Sequence, residues 1–108
     1  MIDFDDGSKY NGDLKAGKPH GLGTLQLFNG DKYIGQWRDG HKEGTGTYLF
    51  ASGVKYTGKW FNDLKHGHGQ TKFTNGDILE LEGNFHQGMI HGKGKLIYRT
   101  GSIYKGYF

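Results

Sequence analysis

Tyr33-Ile34-Gly35-Gln36-Trp37-Arg38-Asp39-Gly40-His41-Lys42-Glu43-Gly44-Thr45-Gly46 is the stretch on which the reading of the fold turns. Tyr33, Gly35 and Trp37 stand two apart, and so do Gly44, Gly46, Tyr48 and Phe50. A spacing of two puts each set on one face of an extended strand, whereas a helix would need apolar residues three and four apart. Tyr33 to Arg38 therefore reads as a strand, Asp39-Gly40-His41-Lys42-Glu43 as a turn, and Gly44 to Phe50 as a second strand that ends in a short turn at Ser52-Gly53.

The same arrangement recurs about every 23 residues. Tyr10, Tyr33, Tyr56, Leu81 and Tyr104 form one column, with Gly12, Gly35, Gly58, Gly83 and Gly106 two positions on, and Leu14, Trp37, Trp60, Phe85 and Phe108 two beyond those. Gly-x-Gly pairs follow at Gly21/Gly23, Gly44/Gly46, Gly67/Gly69 and Gly92/Gly94. Asn29-Gly30, Ser52-Gly53, Asn75-Gly76 and Thr100-Gly101 close the units, and Asp6-Gly7 matches them ahead of the first. Asn-Gly is a strong hairpin signal because both residues tolerate positive φ, the geometry of a two-residue turn.

Glycine and aromatic residues share a face, and that pairing supplies the physical reason for the repeat. A glycine leaves bare backbone on which a flat ring from a neighbouring strand can lie. Each costs roughly 0.5–1 kcal/mol in chain entropy, while a fully buried aromatic contributes roughly 1.5–3 kcal/mol by transfer. The balance favours order only when hairpins are stacked. The composition agrees: 33% of residues are hydrophobic, and nearly half of these are the seven Tyr, seven Phe and two Trp.

Consecutive hairpins joined by tight turns make one continuous antiparallel meander. Some ten strands at roughly 4.8 Å per step give a sheet about 43 Å long, which must twist and curl. The units run 10–32, 33–55, 56–80 and 81–103, flanked by partial units at 1–9 and 104–108, so that 1–108 is a single array. Three positions depart from the pattern: Leu14 for the aromatic, Asp63 for a mid-turn glycine and Leu81 for the tyrosine. Two extra residues precede Leu81, so Asp77-Ile78-Leu79-Glu80 is expected to bulge or widen the turn.

The pattern Tyr-x-Gly-x-Trp-x-x-Gly-x-x-x-Gly-x-Gly, complete at Tyr33 to Gly46, resembles the membrane occupation and recognition nexus (MORN) repeat, and the resemblance runs from Ile2 to Phe108. It implies an all-β, elongated, single-layer antiparallel meander shaped as a half-pipe. It also implies a scaffold for protein–protein interaction, in cytoskeletal or ciliary assemblies, and Asn62 to Gly69 looks like ciliary radial-spoke relatives. Two alternatives follow from the same resemblance: peripheral binding to anionic phospholipid membrane, and service as an accessory region of a larger enzyme.

Chemistry-bearing residues are sparse. The absence of cysteine excludes disulfides and thiolate metal sites, and an intracellular, soluble protein is expected. Ser8, Ser52 and Ser102 all fall in closing turns, so no nucleophile constellation is visible and no enzyme activity is expected. The Gly-x-Gly pairs precede strand rather than helix, which removes the phosphate-cradle reading. His20, His41, His66, His68 and His91, with Lys18, Lys42, Lys65, Lys93 and Lys95, read as one basic edge facing acidic protein or lipid headgroups. No carboxylate or thiol accompanies the imidazoles in that row, so no metal or other cofactor is expected.

Net charge is only +3, too little to call for nucleic acid. Tyr33, Trp37, Tyr56, Trp60 and Phe85 are the candidate rings for gripping a protein partner, and Ile78 and Leu79 are candidates for presentation by the irregular turn. Uncapped sheet ends predict homodimerisation through an edge strand.

Overall fold

A computed structural model describes residues 1–108. Ten strands follow one another: β1 (Ile2–Asp3), β2 (Lys9–Lys15), β3 (Lys18–Gln26), β4 (Lys32–Arg38), β5 (His41–Leu49), β6 (Lys55–Phe61), β7 (Leu64–Lys72), β8 (Ile78–His86), β9 (Met89–Tyr98) and β10 (Ile103–Tyr107). They hydrogen-bond in sequence order as one antiparallel sheet, the all-β meander expected, with extents of 47 × 24 × 17 Å.

The two kinds of turn exchange the geometries expected of them. The turn read as Asp39 to Glu43 contracts to Asp39-Gly40, both at positive φ (49° and 86°), and His41, Lys42 and Glu43 belong to β5. Ala16-Gly17, Asn62-Asp63 and Gln87-Gly88 repeat this paired left-handed conformation, which suits the twist of a two-residue hairpin. At the closing turns only the glycine is left-handed. Gly30 lies at φ 97° and donates to the Leu27 carbonyl at 3.1 Å, while Asn29 keeps negative φ, so the loop is three residues long.

Shortening the first turn lengthens the second strand, and a bulge absorbs the surplus. Gly35 faces Gly46 and Trp37 faces Lys42, so Gln36 alone opposes Glu43, Gly44 and Thr45. Gly44 takes φ 94° there, and Gln36 Oε1 accepts the Thr45 amide at 2.7 Å. The same irregularity recurs between Gly12 and Leu14, Gly58 and Trp60, and Gly83 and Phe85.

The core is a zipper of rings on one face. Tyr10, Tyr33 and Tyr56 are completely buried, and Trp37, Trp60 and Phe85 nearly so. Edge-to-face contacts at 5.1–5.4 Å link Tyr10 to Trp37, Trp37 to Tyr33, Tyr33 to Trp60, Trp60 to Tyr56 and Tyr56 to Phe85, a geometry worth roughly 0.5–1.5 kcal/mol per pair beyond burial. Each tyrosine covers a glycine of its own hairpin. A Cβ on Gly46 would overlap the Tyr33 hydroxyl and sit 2.5 Å from its Cε1, and Gly23 and Gly69 meet Tyr10 and Tyr56 in the same way. Each tryptophan reaches backward instead, Trp37 Nε1 donating to the Gly23 carbonyl at 3.2 Å and Trp60 Nε1 to that of Gly46 at 3.1 Å.

Candidate functional site

Strand pairing sorts the functional side chains onto two faces. Trp37 pairs with Lys42, Trp60 with Lys65 and Tyr33 with Tyr48, so these share the ring-bearing face. His41 pairs with Arg38, Leu64 with Phe61 and Lys105 with Lys95, which places them on the opposite, outer face. A groove of about 530 Å³ opens on this face beside Trp37. Ile2, Phe4, Pro19 and Leu25 line it with Trp37, Lys18, Lys42 and Asp63.

The single basic edge is corrected by this parity. Lys42 and Lys65 leave it for the aromatic face, because each stands one residue out of step with its neighbouring histidine and a strand alternates. Lys42 Nζ lies 5.6–6.0 Å from the ring centroids of Tyr33, Trp37, Tyr48 and Trp60. Lys65 Nζ lies 4.8 Å from Tyr56, 5.6 Å from Phe85 and 5.9 Å from Phe50. Burial lowers the pKa of both ammonium groups, with the charge of Asp63 opposing it at Lys42. Lys18 stands at the groove rim.

His20, His66, His68, His91, Lys93 and Lys95 occupy the outer face. Lys93, Lys95, Lys105 and His68 surround a depression of about 580 Å³ whose one carboxylate is Glu82. His66 lies in tilted contact with Phe61 at 5.8 Å and with His86 at 5.3 Å, and His86 with His91 at 6.4 Å. His86 is absent from the predicted row because it belongs to the first strand of its unit, not the second. No group of three or more His, Cys, Asp or Glu side chains is placed to hold a metal ion.

The candidate rings for gripping a partner are packed into the core. Tyr33, Trp37, Tyr56, Trp60 and Phe85 keep almost no surface of their own, and of the five Trp37 alone reaches the groove lining. Burial raises the Tyr33 pKa, aided by the charge of Asp63, and pushes that of Tyr56 up to about 12. Tyr48 is likewise pushed up to about 12, by burial and then by its 2.7 Å hydrogen bond to Asp31. Of the irregular turn, Leu79 is exposed and Ile78 half-buried. The register shift falls between Ile78 and Glu80, where a bulge or widened turn was expected. Arg99 braces that segment, donating to the carbonyls of Gly76 and Phe73 at 2.8 and 2.7 Å.

Asp63 is the residue whose role the sequence conceals. Where other turns carry glycine, its carboxylate reaches back one unit to His41 Nδ1 at 2.6 Å, the Lys42 amide at 2.8 Å and Lys42 Nζ at 3.9 Å. Burial would raise its pKa, but the His41 hydrogen bond, the Lys42 amide and the two nearby charges together hold it below the ordinary value.

A single sheet of repeated hairpins, with a zipper of rings on one face and a row of basic side chains on the other, defines an all-β repeat scaffold. The MORN repeat model matches residues 10–32, 33–55, 56–78 and 82–103, and the chain belongs to the MORN repeat family. MORN repeat domains are generally protein–protein interaction scaffolds, and they are typically non-catalytic. No curated protein matches the chain.

Proposed function

We propose that the protein is a non-catalytic scaffold whose aromatic face receives a segment of a partner protein, in a cytoplasmic assembly of the cytoskeleton or cilium. The groove lined by Ile2, Phe4, Pro19, Leu25 and Trp37 carries this reading. It joins apolar walls to a few charged groups at the rim, the composition of a specific recognition site. The assembly follows from the family resemblance of Asn62 to Gly69. Photo-crosslinking tests the proposal: a crosslinker replacing the exposed Phe4 should trap a protein in cells, and one replacing Lys55 on the outer face should not. Trapping at neither position, or equally at both, would refute the groove as the interface.

The basic depression of Lys93, Lys95, Lys105 and His68 favours a second reading, peripheral attachment of the outer face to anionic membrane. Co-sedimentation with phosphatidylserine vesicles that weakens with salt and with Lys93→Gln would support it. The same array within a larger enzyme would retain either surface, and the β10 edge could pair with a second copy. Light scattering of the chain as concentration rises tests the dimer.

A further inference from the structure

Units two and three each set a lysine among rings on the same face, and they differ in the anion beside it. In unit two the caged Lys42 ammonium has a carboxylate 3.9 Å away, supplied by Asp63 from the following turn, and the same carboxylate accepts the Lys42 amide. Unit three repeats the cage around Lys65 with Tyr56, Phe85 and Phe50. Its following turn keeps the same frame: Gly88 donates its amide to the Lys65 carbonyl at 2.9 Å, as Asp63 does to that of Lys42 at 3.2 Å. Yet the residue is glycine. No Asp or Glu oxygen comes within 4 Å of Lys65 Nζ, whose neighbourhood offers rings but no anion.

We infer that Lys65, beside Gly88, is a docking point for a carboxylate side chain of a partner polypeptide lying along the aromatic face, that Asp or Glu standing to Lys65 as Asp63 stands to Lys42. Space is available, because a Cβ at Gly88 would meet only Leu64 Cδ2, at 3.8 Å. The surroundings specify the occupant. The rings of Tyr56, Phe85 and Phe50 around the ammonium suit a carboxylate on an apolar stem, and a half-buried lysine without a counter-ion gains more from such a group than a solvated one. The rings around the ammonium favour a peptide side chain over a strongly hydrated lipid headgroup.

This inference rests on the scaffold reading and names the chemistry of its partner. It is tested by following the 15Nζ signals of Lys42 and Lys65 while adding a capped leucine–aspartate peptide or its leucine–asparagine counterpart. The aspartate peptide should move Lys65 and bind at least about tenfold more tightly than the asparagine one. Gly88→Asp should fill the site from within and weaken that binding about tenfold. Asp carries φ 69° at the equivalent position 63, so the backbone tolerates it. Asp63→Gly restores the glycine found in the other turns and should open a second response at Lys42.

Equal binding of the two peptides, no effect of Gly88→Asp, or movement of Lys65 by phosphatidylserine vesicles but not by peptide would overturn the inference. A partner trapped at Phe4 that binds Lys65→Gln and Gly88→Asp as tightly as the parent protein would also overturn it while leaving the scaffold reading intact. A selective Lys65 response with no partner trapped in cells would do the reverse.

Discussion

Gly46→Ala is the sharpest probe of the packing. The added methyl would overlap the Tyr33 hydroxyl and lie 2.5 Å from Cε1 of a ring with no exposed surface, itself tied to the Gln36 carbonyl at 2.9 Å. Overpacking of this kind costs roughly 1–3 kcal/mol, and displacing the hydroxyl forfeits about 1 kcal/mol more. Alanine's smaller unfolded-chain entropy returns roughly 0.5–1 kcal/mol, leaving a net loss of about 1–3.5 kcal/mol. For a chain of this length that lowers Tm by roughly 5–25 °C.

Gly83→Ala is a milder comparison, in the first-strand column of Gly35 where no tyrosine ring covers the backbone. There Leu81 stands in the tyrosine column, and the new Cβ meets the Gly94 Cα at 3.1 Å and the flexible end of Ile90 at 3.2 Å, so a loss of about 1 kcal/mol is expected. Tyr33→Leu alone should cost about 2–3 kcal/mol by opening a cavity. Combined with Gly46→Ala, it removes the clash, so the double variant should be at least about 1 kcal/mol more stable than additivity gives. Thermal and urea unfolding followed by circular dichroism measure all four proteins. A Gly46→Ala loss under about 0.5 kcal/mol, or strict additivity in the pair, would refute the ring-on-backbone account.

Trp60→Phe keeps a ring but leaves the Gly46 carbonyl without its indole donor, and urea unfolding should register a loss of about 1–2 kcal/mol. The folded-state pKa of Asp63 lies below its ordinary 3.8, so its contribution is full above that value and is lost as pH falls through the folded pKa. Asp63→Asn should therefore flatten the acid limb of the urea midpoint against pH. Tyr48 and Tyr56 titrate near about 12 against an ordinary 10.0. Their stabilisation is complete below pH 10.0 and declines toward about pH 12, so unfolding midpoints should fall across that window, less steeply in Tyr48→Phe.

Strand identity and the glycine–ring pairing were legible because period-two spacing and side-chain volume are local properties. Turn geometry was less so. Asn29-Gly30 and Asp39-Gly40 look alike as dipeptides, and strand twist and hydrogen bonding decide which takes two left-handed residues. That choice propagated: moving His41 to Glu43 into β5 fixed the parity that separates Lys42 from His20 and His66. Burial of the rings depends on where Trp37 and Trp60 lean, backward over the preceding hairpin, and a linear spacing carries no such direction. Asp63 touches His41 from 22 residues away, and only the stacking distance between turns reveals why a carboxylate replaces glycine there.

The backward reach of the tryptophans gives the array an assembly order. Trp37 docks on Tyr10 and Gly23, and Trp60 on Tyr33 and Gly46, so each tryptophan finds its anchors already made. A chain emerging from the ribosome can thus lay each tryptophan on a finished hairpin, while each tyrosine waits only for the second strand of its own hairpin and the ring of the next. Contacts confined to sequence neighbours also keep loop-closure costs low, and the protein can lengthen by duplication without any earlier unit having to be remade.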